Sequence, residues 1–245
     1  MKDIIILYSK NKKICEIASK VLDSLGYTER LLVEGLSVFH DKEFVVSTNP
    51  EIIKVYRRIK DDEENDISFI GFDDSSLPYS EQIYNARNHL THYFDGLFFS
   101  AKDVEDVLTL IVKAKREHKE MIMFESFGFK LGNPIDVDLV IDARVLPNAF
   151  WVDELRNKCG LDKEVRDFVL NGKSAMEYVH HVENFLSYYF ENMEKRSKRM
   201  PLVGIACTGG QHRSITLAEY LKDYFSPKYI VYIKHREINR FLCRK

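Results

Sequence analysis

The chain has 245 residues, 45% of them hydrophobic and 30% charged, which describes an ordinary folded globular protein with room for one large or two modest domains. A formal net charge of −2 excludes a global attraction to nucleic acid, so any such binding must use a local patch. No apolar run approaches the length of a membrane span, and the opening MKDIIILYSKNKK has too short an apolar stretch for a secretory signal. The four cysteines (Cys15, Cys159, Cys207 and Cys243) lie far apart with no CxxC pair, which indicates neither a zinc site nor a disulfide scaffold. No metal or cofactor is expected, and a reducing cytoplasm fits best.

DIIIL (3–7) is an apolar run of the kind buried on both faces of a parallel sheet. KICEIASKVLDSLG follows with Ile14, Ile17, Ala18, Val21, Leu22 and Leu25 at helical spacing, ending at Gly26. FVVSTNPEIIKVYRRI reads as a strand, a Thr-Asn-Pro helix start and a helix. DISFIGFDD (66–74) predicts another strand, 80–94 a helix, DGLFFS a strand and AKDVEDVLTLIVKAKREHK an amphipathic helix. EMIMFESFGFKLGNP then joins a strand to a Gly-rich loop closed by proline, and DVDLVIDARVLPN gives a second strand and exit loop. LDKEVRDFVL predicts a helix with Asp162 as N-cap and Glu164 in its first turn. A long helix runs through MEYVHHVENFLSYYFENMEKRSKRM, and LVGIACTGG is a strand entering a loop. SITLAEYLKDYF is a helix with Ile215, Leu217, Ala218, Leu221 and Phe225 inward, and YIVYIKHRE is a last strand. This alternation favours an α/β architecture, divided near residue 118 into an N-terminal α/β domain (1–118) and a second domain (119–245).

The densest chemistry lies in GIACTGGQHRS (204–214). A strand ending at Cys207, two glycines and a helix starting near Arg213 would place backbone N–H groups around one concavity. The helix N-terminus and the Arg213 guanidinium would add positive charge, which suits a phosphate or carboxylate. The bland alternative is a tight glycine turn whose arginine pairs with an acid. A third reading takes Cys-x-x-Gly-x-x-Arg-Ser as the loop of a cysteine-dependent phosphatase. Cys207 would then be the nucleophile, Arg213 the oxyanion clamp and Ser214 the aid to sulfur departure. Against it, Ala206 precedes the cysteine where such phosphatases usually have histidine.

FESFGFKLGNPIDVDLVIDARVLPN, then Trp151 and ELR, then GLDKEV, then GIACTGGQHRSITLAEYLKDYF resemble, in consistent order over roughly residues 122–236, the C-terminal domain of the RapZ/YvcJ family. Members pair this domain with an N-terminal P-loop NTPase-like domain. The resemblance implies a non-catalytic adapter that binds a regulatory small RNA, presents it to an endoribonuclease, senses an amino-sugar phosphate (glucosamine-6-phosphate) and self-associates. Cys207, Thr208, Gly209, Gly210, His212, Arg213 and Ser214 match its Cys-Thr-Gly-Gly-x-His-Arg-Ser loop, and Asp142 and Arg144 match its Asp-x-Arg at a strand end. These positions, Ser214 apart, are thereby implied as ligand-binding. The family's Pro-Asn-Pro-His-Trp is here Pro-Asn-Ala-Phe-Trp, so Phe150 replaces a ligand histidine. That loss weighs against glucosamine-6-phosphate itself and leaves an anion site intact. His235 and Arg236 match a His-Arg near the family's basic C-terminal end. With Lys234, Arg240, Arg244 and Lys245 they form the expected RNA-contacting tail.

Other features have plainer readings. His180 and His181 are adjacent on a helix and point apart, and His89 and His92 lack an identifiable carboxylate partner. Trp151 is expected to anchor a loop against the core, and FLSYYF (185–190) to be a buried or dimer-forming helix face. KREHK and KRSKR read as solvated basic clusters. At the position of the family's Gly-Lys-Ser loop the chain reads ILYSKNKKICEIASKVLDSLGY, and the loop after the strand holds no glycine to let the backbone wrap a phosphate. Hydrolysis of ATP or GTP is therefore not expected; nucleotide turnover abolished by Lys13→Ala would overturn this.

Overall fold

A computed structural model of the chain describes residues 1–72, 94–98, 103–134, 137–193 and 200–242. The chain divides into two compact units, Met1–Glu120 and Met121–Lys245. Each is a parallel sheet with helices packed on it, so the α/β architecture expected from the sequence is the one observed.

The first unit contains strands β1 (Lys2–Ser9), β2 (Thr28–Glu29), β3 (Glu43–Ser47), β4 (Asn65–Phe72) and β5 (Gly96–Phe98), in the order β2-β3-β1-β4-β5. Between them run helices α1 (Lys12–Ser24), α2 (Ile52–Ile59) and α3 (Val104–Glu117). β1 is central and buried from Ile4 to Ser9, which is why its sequence is a continuous apolar run. Ile4, Ile6 and Tyr8 pack with Ile52, Val55 and Ile59 of α2. The connection from β1 to α1 is short: Ser9 Oγ accepts from the Asn11 N–H, and Asn11 caps α1 by accepting from the Lys13 N–H at 3.0 Å. A side chain thus occupies the helix end where a glycine loop would have to cradle phosphate.

The basic run KREHK is not a simple solvated face. Lys115 is buried between Asp3 (2.7 Å) and Asp66 (3.1 Å), two acids that face each other in register at the start of β1 and β4. Tyr27 donates its hydroxyl proton to Asp3, and burial together with that carboxylate pushes the Tyr27 phenol up. Residues 80–93 of the helix expected over 80–94, and the run 195–199, lie outside the described residues.

The second unit holds β6 (Met121–Gly128), β7 (Leu139–Asp142), β8 (Leu202–Cys207) and β9 (Ile230–His235), all parallel, in the order β7-β8-β6-β9. Helices α4 (Lys163–Val169), α5 (Lys173–Met193), α6 (Arg213–Phe225) and α7 (Asn239–Leu242) complete it, and single 3-10 turns span Phe129–Leu131, Ala143–Val145 and Ala149–Trp151. The core couples Phe124 of β6, Phe190 of α5, Phe225 of α6 and Tyr229 in one aromatic cluster, with edge-on or tilted contacts. Ile215, Leu217, Ala218, Leu221 and Phe225 all point inward as their spacing predicts.

Two local expectations differ from the structure. Asp162 stands at the N-cap position of α4 as expected, but its side chain makes no cap bond; the carboxylate accepts instead from the Cys159 N–H at 2.7 Å, holding the preceding turn. Trp151 is 75% exposed, because the 3-10 turn capped by Asn148 directs the small Ala149 into the core and leaves Phe150 and Trp151 outside. FLSYYF divides in the same way: Leu186 and Phe190 are buried, while Phe185 and Tyr188 are exposed.

Register pairs Ser126 of β6 with His235 of β9. The Ser126 hydroxyl lies 2.8 Å from His235 Nδ1, and His235 Nε2 lies 3.0 Å from Glu219 of α6. This bond, aided by Lys222, holds the Glu219 carboxyl at about 2, below its ordinary 4.5. A depressed carboxyl stabilises the fold fully above its unfolded value and loses that contribution as pH falls toward the folded one. Acid unfolding of Glu219→Gln, followed by circular dichroism, should therefore show a shallower loss of stability between about pH 4.5 and 2 than the parent.

Candidate functional site

Because the four strands of the second unit are parallel, their C-terminal ends share one edge. The register aligns Gly128 with Cys207 and Asp142 with Ala206 there. The loop from Cys207 to Arg213 folds back over that edge. A Cβ on Gly128 would sit 2.5 Å from the Gly209 carbonyl carbon and 2.8 Å from the Gly210 nitrogen, so only glycine permits the crossing. Gly210 is the one loop residue with positive φ, at +76°, and its N–H turns inward onto Cys207 Sγ at 3.2 Å.

These constraints sort the expected site residues into two groups. Cys207 is buried at the floor, 3.2 Å from the Ser214 hydroxyl as well as from the Gly210 N–H. His212 is also buried; its Nε2 meets the Leu155 carbonyl at 3.2 Å, and burial lowers its pKa. Gln211 beside it donates to the carbonyls of Arg156 and Lys158, and Gly160 N–H donates to the Gln211 carbonyl. Thr208 and Gly209 form the exposed part of the loop. The N–H groups of Gly209 and Gln211 meet no acceptor among the described residues.

Arg213 opens α6 and is 8% exposed. Its guanidinium donates to the Arg144 carbonyl (3.1 Å) and to Thr208 Oγ1 (3.3 Å), leaving further N–H donors without acceptors among the described residues. Asp142 and Arg144 lie beside it at the end of β7. Arg144 grips the Asp142 carboxylate through Nε and a terminal nitrogen, and rests 4.6 Å over the Phe129 ring. The Arg144 guanidinium holds the Asp142 carboxyl below the usual range, with a smaller contribution from the charge of Arg213. The Asp142 backbone carbonyl accepts from the Tyr178 hydroxyl at 2.7 Å, fixing the strand end to α5. Asp142, Arg144, Thr208 and Arg213 are thus connected through hydrogen bonds, with Cys207 and Gly210 beneath.

Phe150 is 45% exposed, edge-on to Trp151 and 5.6 Å beneath the Arg156 guanidinium, which also donates to the Phe150 carbonyl. Through Arg156 and Gln211 this aromatic pair is linked to the loop. The expected RNA-contacting residues separate. His235 is engaged with Ser126 and Glu219, and Arg236 with Glu237 and the carbonyls of Gly128 and Gly132. Lys234 is half-buried, Arg240 is exposed, and Arg244 and Lys245 lie outside the described residues. Glu237, fully enclosed behind the loop, carries no motif that would single it out in the sequence.

Among the described residues no group of three or more His, Cys, Asp and Glu side chains is arranged to hold a metal ion, and no helix is long and apolar enough to cross a membrane.

Residues 120–239 match the family model described as the RapZ C-terminal domain. Among curated proteins, the chain is 37% identical over 147 residues to a nucleotide-binding protein of Bacillus licheniformis, an alignment covering 60% of this chain and 50% of that one. It is 44% identical over 119 residues to one of Shouchella clausii, covering 49% and 40%. With one of Alkaliphilus oremlandii it shares 36% over 179 residues, covering 70% and 62%. The matches therefore span about half the length of these relatives. The motifs at Gly128, Asp142, Asn148 and Cys207–Ser214 all fall within the matched segment, and through residues 120–239 the chain belongs to the RapZ family.

Proposed function

We propose that the second unit binds a phosphorylated small molecule, of the amino-sugar phosphate class, at the Cys207–Arg213 loop and acts as a non-catalytic regulator or adapter. The observation that carries this reading is the loop itself. It is a strand-to-helix turn at the C-terminal sheet edge, with Thr208 and Gly209 exposed, unpaired N–H groups and a buried guanidinium held beside it. Backbone N–H groups, the start of α6 and Arg213 all offer positive potential to an anion. Asp142, next to Arg213, supplies an acceptor for an amine or hydroxyl of the ligand. Cys207 and His212 support the loop from beneath. The curated relatives carry the name nucleotide-binding protein, which is consistent with a phosphate-bearing ligand. RNA contact through the C-terminal tail belongs to the same reading, with Arg240 the exposed described residue of that tail. Its mark would be binding that weakens steeply with salt.

Thermal unfolding across a panel of sugar phosphates tests the central assignment, since a ligand of the folded state raises the midpoint. The expected result is a phosphate-dependent rise that Arg213→Ala weakens by about 10- to 100-fold in affinity, the scale of a lost charged hydrogen bond. Glucosamine-6-phosphate should act weakly, Phe150 standing where the family has histidine. No rise with any phosphate would overturn the assignment.

A second reading, phosphoryl transfer from Cys207, draws on the contact of its sulfur with Ser214 and with the Gly210 N–H. Ala206 argues against it, standing before the cysteine where such phosphatases usually have histidine. Wild type and Cys207→Ser should both be inactive on an aryl phosphate; turnover lost in the variant would establish the enzyme reading instead.

A further inference from the structure

Behind the loop lies a charged pair that the site as described does not use. Glu237, in the turn between β9 and α7, is 4% exposed, and one carboxylate oxygen accepts from the Gly128 N–H at 3.2 Å. The same oxygen would sit 2.6 Å from a Cβ placed on Gly210. Glu237 therefore lies against both Gly128 and Gly210, enclosed from water, whereas Thr208 and Gly209 are exposed. Its other oxygen accepts from Arg236 Nε at 2.5 Å. Arg236 also donates to the Gly132 carbonyl (2.7 Å) and the Gly128 carbonyl (3.5 Å), stacks 5.2 Å over the Phe127 ring, and is bound through its own N–H to the Ser126 carbonyl.

A bare carboxylate behind an anion loop would oppose its ligand, because enclosure from water strengthens the repulsion. Here the charge is cancelled by the adjacent guanidinium. We infer that Glu237 is the positioning residue of the Cys207–Arg213 loop and that Arg236 is its counter-charge. Glu237 fixes the Gly128–Gly210 crossing, and Arg236 keeps that acid from repelling the ligand. The sequence feature that suggested a nucleic-acid contact at Arg236 is thereby given an internal role. The electrostatic half of this inference rests on the anion-binding reading of the loop; the positioning half does not.

The test separates the two. Hydrogen exchange without ligand reads the crossing: Glu237→Ala should accelerate exchange at the Gly128 amide about tenfold or more, whereas Glu237→Gln, which keeps an acceptor, should restore protection. Unchanged exchange in Glu237→Ala would overturn the positioning role whatever the loop binds. Titration with inorganic phosphate reads the charge: Arg236→Gln should weaken binding on the order of fivefold, and the double variant Arg236→Gln/Glu237→Gln should recover it. A purely structural role for Arg236 would leave the double variant at least as weak as the single one, which would overturn the counter-charge. Failure of the wild type to bind any phosphate would remove the ligand reading and leave the exchange result standing on its own.

Discussion

At the C-terminal edge of the second sheet Gly209 and Gly210 pass over Gly128 so tightly that no Cβ fits between them, and the candidate site depends on that passage. β6 and β8 stay in register to the last pair, Gly128 with Cys207, so the chain leaving Cys207 must turn back across the end of its neighbour. A side chain at Gly128 would force it away. With none there, Gly210 can aim its N–H at the Cys207 sulfur, Thr208 is held at the surface by the Lys130 N–H on its carbonyl, and α6 begins with Arg213 beside the end of β7. The positions of Thr208, Gly210 and Arg213 follow in large part from this contact between backbones.

Around this crossing the polar groups are already organised. Arg213 is braced by the Arg144 carbonyl, Asp142 by the Arg144 guanidinium, and Gln211 and His212 by the carbonyls of Leu155, Arg156 and Lys158. A loop fixed before its ligand arrives has less conformational entropy to lose on binding. Burial lowers the pKa of His212, which suits a ring that bonds a neutral carbonyl and not an anion.

The parts of this structure legible in the sequence are those governed by local repetition or by several residues together. The runs at Ile4–Leu7 and Leu202–Cys207 announce buried parallel strands, the stripe through Ile215 and Phe225 announces a helix face, and the Cys-Thr-Gly-Gly-x-His-Arg-Ser loop announces itself. What is not legible depends on which of several possible partners the fold brings to each charge. Lys115 reads as one charge of a solvated run, whereas Asp3 and Asp66 on adjacent strands bury it between them. Asp162 has the chemistry of an N-cap, yet the Cys159 N–H claims it. Arg236 reads as part of a basic tail, although an acid one residue away takes its guanidinium. Glu237 has no signal in the sequence, since a lone glutamate after a basic pair carries no pattern; only the fold puts it against two glycines.

The exposed indole of Trp151 has a consequence for how this protein can be observed. It is the chain's single tryptophan, and it is 75% exposed at a turn linked through Arg156 and Gln211 to the loop. Since water already surrounds it in the folded state, melting of either core will alter its surroundings little. Its emission is therefore a poor gauge of global folding but a built-in optical probe of the rim, where neither added dye nor engineered label is needed.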